Sequence, residues 1–426
     1  MSINVFQGDN ADVAQISTHT VVDTWATNDI ANLICGGKTV TFIVGATQTP
    51  AAVVAGLVAA WNTSEDGALE EVTATDAAPA ITLTADGQGI PFVTTATETT
   101  AGDGTIGAQV DTTAVDGAEN WDRDTNWDTA AVPVDGDNVH IESTDNSIKH
   151  GLAQSAVTLA SLDIKQSFIG QLGKPRENTD NANAFVDYRP TYLAISATIC
   201  TIGEGDGDGS GRIKHDAGSN VCDWTVLGSG TRLSDTSDVP AVLLKGTHAS
   251  NTLTVQRGDV GVAFFAGEVS TIATLNVGHK TSETADSQVI CGAGVTITTI
   301  NQTGGTLDID LTTAGVVTIN LDGGVLTLRG DVGGVTTINI AAGAKLIDMG
   351  GSGTIATLEL SGEYDHSQST TPRAITNRNL HPGHTYRDPH GVVSVGGNGI
   401  DFHNCGPGQR GTFETAANRT WTESAI

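Results

Sequence analysis

Aromatic side chains, cations, cysteines and long apolar runs are all scarce in this chain, and each scarcity removes a class of protein. Phe, Trp and Tyr make up 4% of the 426 residues against 52 glycines, a balance that suits a repetitive coil better than a compact enzyme core. Lys and Arg number 20 against 49 Asp and Glu, for a formal net charge of −29. Neither nucleic acid nor an anionic membrane is therefore expected as a partner, because both require a basic surface. The acidity favours solubility and resists nonspecific association. The five cysteines, Cys35, Cys200, Cys222, Cys291 and Cys405, are odd in number and contain no C-x-x-C pair. Buried free thiols are expected in place of a disulfide framework or zinc knuckle. The longest apolar segment, residues 53–60, is too short to span a bilayer. Residues 1–9 show no basic start and no apolar stretch of signal-peptide length.

Catalytic signatures are missing too. There is no G-x-S-x-G, no H-E-x-x-H, no phosphate loop and no G-x-G-x-x-G between a strand and a helix. A glycanase groove needs paired carboxylates and normally carries aromatic platforms. Acids such as Asp308 and Asp310 are abundant, but the six Trp and four Tyr lie mostly outside the repeats. No enzyme is expected.

What is present is a triplet, Thr-Ile/Leu-Asn/Glu, that returns at 274–276, 299–301, 318–320, 337–339 and 357–359. Its apolar centres are spaced by 25, 19, 19 and 20 residues, so one unit repeats with a single insertion. Around each triplet apolar and small residues alternate, as in Thr336, Ile338 and Ile340, which is the period of a strand with one buried face. A second alternating run follows a glycine turn, with Leu307 and Ile309 after Gly304-Gly305 and Leu326 and Leu328 after Gly323-Gly324. At about 3.3 Å per residue a 19-residue unit traces roughly 60 Å, one closed turn of a coil whose turns stack about 4.8 Å apart. The fold class is mainly β: a right-handed parallel β-helix, or solenoid. In-register stacking puts Asn276, Asn301, Asn320 and Asn339 one above another on the outer surface, as a structural ladder that stabilises the coil.

Four segments are expected. Residues 1–115 read as a small α+β module, with a strand at 38–44, Thr49 as N-cap, Pro50 at the first helical position, a helix over 51–61, strands at 70–75, 81–85 and 92–96, and a linker over 99–117. Residues 116–154 form a linker and lead-in, 155–370 the parallel β-helix, and 371–426 a C-terminal cap or interface segment, near neutral in charge and outside the repeat. An open solenoid end would otherwise expose strand edges.

The lead-in reads Asn120-Trp121, Asn126-Trp127, Val132-Pro133 and Gly136-Asp137-Asn138-Val139-His140-Ile141. This resembles the segment that precedes β-solenoids in several bacterial surface and phage proteins. Residues 155–162, 190–193, 209–214 and 245–251 are similar to stretches of phage-associated β-solenoid proteins, and the resemblance spans roughly residues 120–405. It implies a virion structural role and brings no catalytic residues with it. The module resembles small modules of phage particles. Such a particle, assembled in the host cytoplasm and released by lysis, would reconcile a solenoid with the absence of an export signal.

Three clusters invite a metal. Asp122, Asp124, Asn126 and Asp128 place oxygens at alternating positions, a calcium candidate set against a solvated acidic turn, since the sixth-position Gly and distal Glu of the EF-hand template are missing. Asp206, Asp208, Ser210 and Gly211 match the first half of that template, with Ala217 where the Glu belongs. His381 and His384, with His390, His403 and Cys405, could build a transition-metal site or serve as capping and interface histidines. The expectation is a homotrimeric capsid decoration or cement protein, on the outer surface of the head and bound to the major capsid protein or other virion proteins. The alternative is a receptor-binding tail fibre or tailspike with depolymerase activity; a bacterial surface adhesin comes third.

Overall fold

The computed structural model describes residues 3–46, 48–178, 183–233, 238–278, 287–311, 316–330, 335–395, 400–402 and 411–415. Its main body is a parallel β-solenoid. One ladder starts at Ile3–Val5, passes through Asn138–Ile141 and the strand Ala153–Lys165, and continues rung by rung to Ile400–Phe402. The triplets stack as their spacing requires: Leu275 on Ile300, then Ile319, Ile338 and Leu358, each in register. A second ladder runs along another side of each coil through Ile213–Asp216, Val242–Lys245, Gly258–Val262 and Ser287–Cys291 to Thr412–Thr415. Inward residues from both ladders form one continuous core in which Leu253, Ile300, Leu326, Ile338 and Leu358 are fully buried.

The glycine pairs behave differently from turns that end strands. Val295–Leu311 and Thr318–Gly330 are single long strands that bend at Gly304-Gly305 and Gly323-Gly324. Gly305 and Gly324 hold φ of 66° and 76°, and a Cβ on Gly324 would run into the Gly305 carbonyl of the coil beneath. The corner is a kink in one long strand, and the pairing register shifts across it.

The α+β module is inserted after the first rung. Ile3–Val5 lies in the solenoid and Phe6 in its core, so the chain leaves the coil, builds the module and returns at Trp121. The helix Pro50–Asn62 packs Val53, Val54, Leu57 and Trp61 into a separate core, with Thr49 extended at its N-cap. Two antiparallel sheets face it, one of Ile30–Cys35, Lys38–Ile43 and Thr94–Thr99, the other built on Ile16–Val22. The stretch read as a linker over 99–117 carries the strands Thr105–Ile106 and Val110–Thr113, both paired with Ile16–Val22. Its Gly, Thr and Asp content hid these short strands, of which Val110–Thr113 is largely exposed.

Beyond residue 371 the described residues continue the coil. Arg373–Leu380 stacks on Thr354–Leu360, and Thr385–Asp388 on Glu363–Asp365. The repeat looked broken there because charged and aromatic residues take inward positions. Arg378 stands on Leu358 in register, and Tyr364, Tyr386 and Phe413 stack with centroids 5.1 and 4.9 Å apart.

Candidate functional site

The asparagine ladder is the most regular feature of the outer surface. Asn301 Nδ2 donates to Asn276 Oδ1 at 3.0 Å, Asn320 to Asn301 at 2.9 Å and Asn339 to Asn320 at 2.7 Å, while Asn276 donates to Thr254 Oγ1 at 3.1 Å. Asn276, Asn301 and Asn320 thus each spend a donor and an acceptor along the axis and Asn339 a donor, which ties coils together at a partly exposed face. The column is charged at both ends. His140 meets Asp163 at 3.2 Å near the start, and Glu359 accepts from Asn379 at 2.5 Å and His381 at 2.9 Å near the finish.

The lead-in acids are spread over separate tasks. Asn126 is fully buried and donates to the carbonyls of Gly117 and Asn120, both at 2.8 Å, while its Oδ1 accepts from Asn10 N at 3.2 Å. Asp128 Oδ1 caps the first rung by accepting from Val5 N at 2.8 Å. Asp124 accepts from the neighbouring Thr125 N, and Asp122 lies exposed beside Gly151. The two tryptophans between them plug the start of the coil. Trp127 packs edge-on against Phe6 and Trp121 at 5.4 and 4.7 Å, and its Nε1 donates to the Trp121 carbonyl.

Ser210 is buried and fastens two carbonyls, Gly170 and Arg212, while Asp206 and Asp208 stay exposed and Ala217 fills the core. His384 Nδ1 bonds the His381 carbonyl at 2.7 Å and His390 Nε2 bonds the Ser367 carbonyl at 3.2 Å. His403 and Cys405 lie outside the described residues. Among the described residues no three or more His, Cys, Asp or Glu side chains are grouped to hold a metal ion. Cys35, Cys200, Cys222 and Cys291 are buried free thiols, all raised in pKa by burial first.

Two buried ion networks escaped the sequence reading. In the first, an excursion from the solenoid reaches into the module: Lys174 pairs with Asp187, and Arg189 bonds Asp187 at 2.9 Å and Glu71 of the module at 3.0 Å. Asn178 adds a bond to Glu71 at 2.7 Å and Arg189 one to the Pro91 carbonyl at 3.3 Å. Burial works to raise the Asp187 carboxyl, but Arg189 and Lys174 outweigh it and hold the carboxyl below its ordinary range. In the second, Arg373 and Asp348 meet at 3.0 Å with both side chains fully buried, and Tyr364 donates to the same carboxylate at 2.8 Å. The available signal was scarcity. With 20 cations against 49 acids, a Lys or Arg in an apolar stretch marks a place where a charge is being spent.

The class defined by these features is a β-solenoid with an inserted α+β module. Comparison with family models, curated proteins and solved structures yields no match.

Proposed function

We propose that the chain is a non-enzymatic structural protein of a phage particle, a right-handed solenoid assembled as a homotrimer that decorates and cements the outside of the head. The observation that carries this reading is the way the molecule spends its polar groups. The outer ladder bonds to itself, Asp128 of the lead-in holds the first rung, and the buried ions join the module to the shaft. Such a body suits a stiff spacer with a fixed head. The resemblance over residues 120–405 and the net charge of −29 support a virion surface role.

Microscopy of intact particles carrying a tagged copy tests the proposal. Label spread over the shell in many copies agrees with decoration of the major capsid protein. Label confined to the tail replaces it with the receptor-binding fibre.

A further inference from the structure

In a chain so rich in acids, lysines find carboxylates easily. Among the described residues Lys38, Lys149, Lys165, Lys174, Lys245 and Lys345 each sit against an Asp or Glu. Lys214 is the exception, with neither an ion pair nor a hydrogen bond to its Nζ. Its neighbour Ile213 on the strand Ile213–Asp216 joins the solenoid core, so Lys214 stands on the outer face, beneath the excursion that reaches the module. There its ammonium lies 5.1 Å from the ring centre of Tyr192 and 5.2 Å from that of Phe265. Two more cations share those rings, Lys245 over Tyr192 at 4.3 Å and Arg176 over Phe265 at 5.7 Å. Lys214 is 2% exposed, and that remainder reaches Nζ, which is not sealed from solvent.

A buried cation facing other cations is poorly placed as a cation and well placed as a neutral amine. Burial above all, then the Arg212 charge, with Lys245 and Arg176 adding to them against Glu268, hold the Lys214 ammonium down to about 8. The nearby acids are engaged elsewhere. Glu268 accepts from Tyr192 Oη at 3.2 Å and Phe265 N at 3.1 Å, and Asp216 faces Lys245 at 3.4 Å. At pH 8 about half of the Lys214 amines are therefore neutral nucleophiles, against well under about 1% for a lysine at the ordinary 10.5. The narrow opening admits only a small electrophile, and the surrounding cations favour one whose adduct is an anion. We propose that Lys214 is a carbon dioxide-binding residue, carried as a carbamate between Arg176 of the excursion and Lys245 of the shaft. The Nζ lone pair attacks the carbon and forms the N–C bond while one C–O π bond breaks onto oxygen, and the Nζ proton passes to water. The product replaces a repelled cation with an anion that both neighbours attract. The site is independent of the role in the particle.

The test equilibrates the full chain with labelled bicarbonate and carbon dioxide at pH 8, traps carbamates by alkylation and locates them by peptide mapping. Lys214 should fill at a carbon dioxide concentration roughly tenfold to a hundredfold lower than Lys165, which its Glu204 partner keeps protonated. A carbamate resonance in the carbon-13 spectrum should be lost in Lys214→Arg. Arg176→Gln, at an exposed position, should raise the half-saturating concentration about two- to fivefold, since it removes one cation from the carbamate. Label spread evenly over the lysines, no carbamate at Lys214, or unchanged half-saturation in Arg176→Gln would overturn the proposal. Should Lys214→Arg fail to fold, the map of the unaltered chain decides.

Discussion

Ile338 and Asn339 are adjacent in sequence and opposite in role, one fully buried and the other bonded to the ladder. Ile338→Asp would place an unpaired charge in the core and should cost more than about 4 kcal/mol or prevent folding. Asn339→Asp loses one amide donor at a partly exposed site and should cost about 1 kcal/mol. Equal melting temperatures for the two variants would contradict the assignment of faces. On the strand that follows, Asp348→Ala strands the Arg373 guanidinium in a dry interior. A loss of roughly 3–5 kcal/mol is expected, measurable by denaturant unfolding. A loss under about 1 kcal/mol would show that water reaches the pair.

The strands around Thr274, Thr299, Thr318, Thr337 and Thr357 were legible because identical triplets recur at one-turn spacing with alternate residues buried. Earlier coils, such as Asp223–Val226 and Thr252–Val255, stack just as faithfully but carry Trp224 or Leu253 inward without the triplet. Periodicity alone could not find them. Nor could it find the first rung, since three residues at Ile3–Val5 gain their partner only after the whole module has been built. The strand Ile213–Asp216 adds a pH dependence. Its His215 is fully buried, accepts from Trp224 Nε1 at 2.9 Å and bonds the Ile195 carbonyl at 2.9 Å. Burial lowers its pKa from the ordinary 6.5 to about 4, so between those values the unfolded chain binds a proton that the native chain refuses. Stability from this group is fully present above pH 6.5 and lost as pH falls towards 4, by roughly 3 kcal/mol. His150 acts in the same direction. A His215→Gln variant should show a flatter profile of melting temperature between pH 6.5 and 4, whereas an unchanged slope would remove His215 as its source.

On the scale of the whole molecule, a long stack of coils presents strand edges at its far end, and a chain of this acidity resists nonspecific contact. Threefold association that covers the C-terminal coils is the expected arrangement, and sedimentation at low protein concentration should give three times the chain mass of 43.6 kDa. A clean monomer would argue decisively against it. The most direct test of the proposed role compares phage particles with and without the protein for shell stability and for attachment to cells. Particles that lack a cement protein should adsorb normally but release their genome at lower temperature or milder osmotic stress, because ligation of shell subunits favours the closed shell by mass action. Particles that stay as stable as before and fail to adsorb would contradict a role on the head and assign the solenoid to receptor binding.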